Sequence, residues 1–193
     1  MDYSGLRKRV ATGLGLQYPR VLVQLGSCSQ SVGASYVLEA FQTEMNNSDL
    51  SGSVTEVGCD GACYEAPVVN IETRPDRTFR MVGVQPEDVP GLVRDVGKMI
   101  SGSGDNGLSG GSFEGSSAFW RLQTRFVLDN IGQIDPTNLD EYISKDGYSS
   151  LNRVLKSLSP EQVIDEVLES RLMGRGGAYF PTGRKWQSAR ASS

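Results

Sequence analysis

The chain has 193 residues, 19 Lys and Arg against 23 Asp and Glu, a formal charge of −4 and no histidine. That size holds one or two small domains, and a weakly acidic surface of mixed sign argues against nucleic acid as a main partner. The lack of histidine excludes imidazole acid–base catalysis and imidazole metal ligation, and three cysteines favour buried thiols or metal ligands over a disulfide framework.

No apolar run reaches the length of a bilayer span, and the opening residues up to Arg9 are not followed by an apolar signal core, so a cytoplasmic chain without direct membrane insertion is expected. Residues 1–18 read as an arm, with Leu6, Val10 and Leu14 on a short amphipathic helix at most. From Arg20, the run Val21-Leu22-Val23-Gln24-Leu25 reads as a buried strand that ends in the loop Gly26-Ser27-Cys28-Ser29. Gly33 to about Asn46 places Val37, Leu38, Phe41 and Met45 on one helical face. Ser53 to Val57 alternates as a strand and enters the loop Gly58-Cys59-Asp60-Gly61-Ala62-Cys63. Pro67 to Ile71 and Thr78 to Val82 form a strand pair turning at Pro75-Asp76. A helix from about Pro86 to Met99, with Val89, Leu92, Val93 and Val96 inward, closes the region. Strand, helix, three strands, helix is the order of a sheet covered by helices in a small α/β domain, residues 19–100.

Residues 101–117 are almost entirely Gly, Ser and polar; by composition they form a flexible linker, and the domain boundary is expected there. Beyond it, 118–193 reads as a string of helices: Ala118 to Asn130 with Leu122, Phe126 and Val127 in register, then one after Asp135-Pro136, one from Tyr148 to Leu158, and one from Ser159 to Ser170. The last has the strongest start, a serine N-cap, proline in the first turn and Gln162 at the capping-box position. A helical string of this size buries little, so it is expected to lean on the first domain or on another subunit. It ends in the loop Gly174-Arg175-Gly176-Gly177-Ala178-Tyr179-Phe180-Pro181, followed by Lys185-Trp186. Three glycines around an arginine let backbone N–H groups approach a flat or anionic ligand. On composition alone, a plain turn and a ligand loop both stay open.

Cys59 and Cys63 share one loop, and adjacent strands would bring Cys28 near them. Four thiolates are the usual shell of a two-iron cluster, and three are present. Buried structural thiols and metal ligands remain open on spacing alone.

Val57-Gly58-Cys59-Asp60-Gly61-Ala62-Cys63-Tyr64-Glu65-Ala66-Pro67 is similar to the second cysteine pair of thioredoxin-like [2Fe-2S] ferredoxin domains. Where that family's first pair is expected, this chain has Gln24 and Ser29, with Cys28 one residue displaced. The glycine loop through Lys185-Trp186, with Ile131-Gly132-Gln133-Ile134-Asp135-Pro136, Asp140-Glu141-Tyr142-Ile143 and Gly147-Tyr148 upstream, resembles the start of the flavin-binding region of NADH-dehydrogenase-type flavoprotein subunits. Those occur in complex I, NAD-reducing hydrogenases and NAD-dependent formate dehydrogenases. Arg171, Met173, Tyr179 and Arg184 stand where that family usually has glycine, arginine, glycine and an apolar residue.

The resemblances imply a thioredoxin-like ferredoxin domain, a flexible linker and a small helical segment ending in the glycine-rich loop. They imply a [2Fe-2S] cluster on Cys28, Cys59 and Cys63, with its fourth ligand unknown and Ser27, Ser29 and Ser31 the nearest oxygens. They also imply FMN contacts from Gly174, Arg175, Gly176, Gly177 and Lys185, made only with a partner chain or a continuation of the flavoprotein. No catalytic residue is assigned. The expected function is electron transfer within an NADH-linked redox complex, alongside other subunits and not as a complete dehydrogenase. The alternative is a cofactor-free, truncated paralogue that serves as an interaction or assembly subunit.

Overall fold

A computed structural model of the protein describes residues 2–103, 107–108, 112–113 and 118–192. They fall into two units, Lys8–Lys145, and Asp146–Ser193 together with Met1–Arg7.

In the larger unit, β1 (Arg20–Leu25) lies inside the sheet. It pairs in parallel with β2 (Ser53–Gly58) on one side and antiparallel with β3 (Val69–Arg74) on the other. β4 (Arg77–Met81) and the two-residue β5 (Ser112–Phe113) complete the order β2-β1-β3-β4-β5. A parallel pair needs a crossover, and α3 (Ala34–Asn47) supplies it after the single turn α2 (Ser27–Ser31). Alternation along the strands puts Val21, Val23, Val69, Ile71, Phe79 and Met81 on one face. There they meet Val37, Phe41 and Met45 of α3 and Val89, Leu92, Val93 and Val96 of α4 (Val89–Ile100). Each such side chain contributes about 1.5–3 kcal/mol through burial. The α/β class expected from the sequence is the one observed.

The opposite face of the sheet is polar and still buried: Arg20, Gln24, Asn70 and Arg80 are each 5% exposed or less. Residues from 118–145 lie over it. Trp120 of α5 (Ala118–Arg121) stacks on Arg80 with 4.4 Å from guanidinium carbon to ring centre. Ile131 packs on Gly58, Gly132 rests over Gln24 and Asn70, and Glu141 of α6 (Leu139–Ser144) pairs with Arg20 at 3.1 Å. The helix expected to reach Asn130 stops at Arg121. Leu122, Phe126 and Val127, its intended buried stripe, are 82%, 91% and 88% exposed. Without a surface to cover that stripe, a short helix is marginal, and turns carry the chain across the strands instead.

Of the stretch expected to be a linker, the described residues take part in this unit. Leu108 is buried in the core and Ser112–Phe113 pair with β4. Residues 104–106, 109–111 and 114–117 lie outside the described ones.

The smaller unit is helical: α7 (Ser149–Ser157), α8 (Pro160–Glu169) and α9 (Thr182–Ala191). The capping box is formed as expected, with the Gln162 N–H donating to Ser159 Oγ at 3.2 Å and the Ser159 N–H to Gln162 Oε1 at 2.8 Å. α9 was not anticipated. It packs on α8 so closely at Gly183 that a Cβ there would stand 2.8 Å from Leu168, so only glycine fits. α1 (Tyr3–Gly13) begins at this unit: the Tyr3 hydroxyl donates to the Gly147 carbonyl, and Asp2 and Arg7 pair with Lys156 and Asp146 at 3.0 and 2.9 Å. Among the described residues no helix is long and apolar enough to cross a membrane.

Candidate functional site

β1 and β2 are parallel neighbours, so their C-terminal ends deliver two loops to the same edge of the sheet. The first loop carries Cys28 within α2, and the second carries Cys59 and Cys63. Their apposition is tight at Gly26, where a Cβ would stand 3.2 Å from the Cβ of Cys59. The Cys63 thiol is pushed above its ordinary pKa, chiefly by its interaction with Cys28. The Cys59 sulfur also accepts the Gly61 N–H at 3.3 Å. All three thiols are free, Cys28 and Cys63 being exposed and Cys59 half-buried. The reading as buried structural thiols is therefore corrected: these sulfurs face outward at the mouth of two loops.

A buried ionic clamp holds the second loop. Arg80 of β4 donates to Asp60 at 2.7 Å and to Glu65 at 2.7 and 3.1 Å. One guanidinium thus ties the residue after Cys59 to the one two places beyond Cys63. The Arg80 and Asp60 side chains are 3% and 2% exposed. Gln24 adds two bonds: its Nε2 donates to Asp60 at 2.9 Å and its Oε1 accepts the Asp60 N–H at 3.2 Å. Burial pushes the Asp60 carboxyl upward, but hydrogen bonds from Gln24, the Ala62 N–H and Arg80 outweigh it and hold the group below the usual aspartate value. Burial pulls the Arg80 pKa down, but its hydrogen bonds to Glu65 and Asp60 outweigh that and hold it above the ordinary value. Sequence reading missed this clamp. Its signal was available: Gln24 and Arg80 each stand between two apolar neighbours within a strand, and a buried polar group needs a partner.

For a two-iron cluster the two loops offer three free thiols, and the chain has no fourth cysteine. Among the described residues no three Cys, Asp or Glu side chains close on one point as a single-ion cage requires. A two-iron cluster does not require that, since its four protein ligands are shared between two irons. Of the oxygens nearest Cys28, the Ser29 hydroxyl is buried and bonded to the Gly26 N–H and carbonyl at 2.8 and 3.0 Å, and the Ser31 hydroxyl donates to the Cys28 carbonyl at 2.7 Å. Ser27 is exposed, and its hydroxyl has no hydrogen bond among the described residues.

The glycine loop lies between α8 and α9, closed at its neck by the Gly174 N–H on the Phe180 carbonyl at 2.8 Å and the Thr182 N–H on the Leu172 carbonyl at 2.9 Å. Arg175, Gly176 and Gly177 are exposed, as is Lys185 on α9. The Arg175 guanidinium lies 5.9 Å from the Tyr179 ring centre. Arg171 and Tyr179 have φ of 54° and 51°, the left-handed region in which a side chain costs about 1–2 kcal/mol and glycine does not. Both are positions where the resembled flavoproteins usually have glycine.

No family model matches the chain. It is 50% identical over 66 residues to the NADP-reducing hydrogenase subunit HndC of Solidesulfovibrio fructosivorans, covering 34% of this chain and 13% of that one. It is 52% identical over 52 residues to an NADH-quinone oxidoreductase subunit of Aquifex aeolicus, covering 27% of this chain and 12% of that one. The matches thus span about an eighth of the length of these curated relatives. Among solved structures, a thioredoxin-like [2Fe-2S] ferredoxin from Aquifex aeolicus aligns with 25% identity and a TM-score of 0.37, over 45% of this chain and 88% of that one. The resemblance read from the motifs is borne out: a segment of this chain is similar to subunits of NADH-quinone oxidoreductases and of an NADP-reducing hydrogenase.

Proposed function

We propose that the chain is an electron-transfer module of an NADH- or NADPH-linked redox complex, with a [2Fe-2S] cluster held by Cys28, Cys59 and Cys63. The observation that carries this is that the adjacent C-terminal ends of β1 and β2 deliver the Cys28 loop and the Cys59–Cys63 loop to one edge, so closely that a Cβ on Gly26 would stand 3.2 Å from the Cβ of Cys59. A cluster held there would supply one-electron redox chemistry. The chain's own residues set the conditions. Arg80, Asp60 and Gln24 fix the Cys59–Cys63 loop, so little rearrangement is needed at the ligands. The Gly61 N–H points at the Cys59 sulfur, where donated hydrogen bonds tune potential. Ser27 or a ligand from another chain fills the fourth position.

The relatives are named as subunits of an oxidoreductase and a hydrogenase, which supports partner subunits for this chain too. The exposed Leu122, Phe126 and Val127 and, in the smaller unit, the exposed Leu155 are apolar surface that such partners would cover. Gly174, Arg175, Gly176, Gly177 and Lys185 form one wall of an FMN site. Small-ligand sites enclose their ligand from several sides, so flavin binding requires a second chain or a continuation of the flavoprotein region. The hydrogenase, formate dehydrogenase and complex I settings are all compatible with this role.

A second reading, a cofactor-free interaction subunit, is favoured by one observation: Gln24, at a position where the ferredoxin family's first cysteine is expected, is committed to Asp60. Anaerobic reconstitution with ferrous iron and sulfide separates the two. The first reading expects a coloured protein with a low-temperature EPR signal after dithionite, lost in Cys59→Ala. A colourless, EPR-silent product supports the second.

A further inference from the structure

Between the polar face of the sheet and the stretch from Gln133 to Lys145 lies a cavity of about 390 Å³, a size that small-ligand sites commonly have. Its buried end is ionic. The Arg20 guanidinium donates to Glu72 at 3.2 Å and to Glu141 at 3.1 Å, the three side chains being 7%, 19% and 11% exposed. Among the lining groups two carboxylates thus share one cation there, an excess of one negative charge. At the open side stands Lys145, exposed, with its Nζ 3.4 Å from Gln133 Oε1 and no ion pair among the described residues. The half-buried Tyr18 and Thr78 hydroxyls also line the space, and neither has a hydrogen-bond partner among the described residues. Leu14, Leu16 and Ile134 supply an apolar wall.

We infer that this cavity binds a small zwitterion with an aliphatic body, an α-amino acid such as leucine. Its ammonium sits at the buried end, where Glu72 and Glu141 carry one negative charge more than Arg20 balances. Its carboxylate meets Lys145, and its side chain lies along Leu14, Leu16 and Ile134. The Tyr18 and Thr78 hydroxyls can donate to the carboxylate or accept from the ammonium. A carboxylate without an ammonium would face the negative excess with no cation of its own, and an amine without a carboxylate would leave Lys145 unanswered. Like charge at such close quarters is what rejects a wrong ligand, so the two carboxylates also disfavour a dianion such as phosphate. A ligand held there joins β1, β3 and β4 to the 133–145 stretch, and it stabilises the larger unit by mass action. No cysteine lines the cavity, so the site stands apart from the cluster assignment.

The test is isothermal titration calorimetry of the full-length chain with three probes: L-leucine, isoamylamine, which lacks the carboxylate, and isocaproate, which lacks the ammonium. The expected result is one-to-one binding of leucine with a Kd of about 1 mM or tighter, at least about ten-fold tighter than either analogue, together with a rise in melting temperature on adding leucine. Lys145→Gln should weaken leucine at least about ten-fold and leave isoamylamine unchanged. Leu16→Trp, which fills the cavity from its exposed side, should abolish leucine binding. Lys145 is exposed and Leu16 is 44% exposed, so without ligand both variants should melt as the unaltered chain does. No binding of leucine up to about 20 mM in the unaltered chain, either analogue binding as tightly as leucine, or undiminished binding in either variant would overturn the assignment.

Discussion

The two units carry helices of similar amphipathic pattern and put them to opposite use. α3 and α4 lay Val37, Phe41, Val89 and Val96 into the sheet at 2% exposure or less. α7 and α8 bury no side chain, and among the described residues of the smaller unit only two glycines, Gly147 and Gly183, are buried. Leu155 of α7 is 77% exposed. A stripe of apolar residues therefore says which side of a helix is to be covered, and says nothing of what covers it. The larger unit has a sheet to do so. The smaller one leaves the α8 stripe half-buried and Leu151 and Leu155 of α7 exposed, the condition expected of a segment that works against another surface.

Substitutions should divide along that line. Phe41→Ala, at 0% exposure, is expected to cost about 3–5 kcal/mol in urea unfolding, whereas Leu155→Ala should stay within about 0.5 kcal/mol. Equal costs would break the comparison. The next largest effect lies at the clamp, where Arg80→Met leaves the Asp60 and Glu65 carboxylates in a buried site without their cation, at a cost of about 3 kcal/mol or more. Reconstituted Arg80→Met should also show a broadened EPR line, since the Cys59–Cys63 loop loses its anchor. Unchanged stability would mean that the loop holds itself.

Protonation probes the same clamp. The Asp60 carboxyl lies below its ordinary value in the folded chain, so its contribution is fully present above the unfolded pKa of about 3.9 and is lost as pH falls below it. Asp60→Asn should flatten that part of the stability profile, and a profile unaltered below pH 4 would contradict the assigned cause. The smallest effect is expected in the glycine loop. Tyr179→Gly relieves a positive φ of 51° and should stabilise the smaller unit by about 0.5–1 kcal/mol after the entropy of glycine is counted. A loss of stability would show that the Tyr179 ring, facing Arg175, contributes more than its backbone costs.

Much of this was legible in the sequence because it rests on local rules. The strands came from β-branched runs, α3 and α4 from their apolar spacing, and the start of α8 from a serine, a proline and a glutamine in capping positions. The convergence of Cys28 with Cys59 and Cys63 followed from adjacent strand ends. What escaped is non-local. No local rule says that a Gly- and Ser-rich stretch would seat Leu108 in the core, or that 118–145 would leave the helical register of Leu122, Phe126 and Val127 to cover a polar sheet face. α9 was hidden because Gly183 argues against a helix interior, and only its contact with Leu168 explains why glycine stands there. At the site, the three cysteines were visible as residue types, whereas Gln24 read as a missing cysteine when its place is beside Asp60.

Iron and acid-labile sulfide counted per chain after anaerobic reconstitution and desalting test the central claim most directly. The account predicts about two of each per chain, reduced to background when Cys28, Cys59 and Cys63 are all replaced by serine. Iron and sulfide in the unaltered chain no higher than in that triple variant would contradict it.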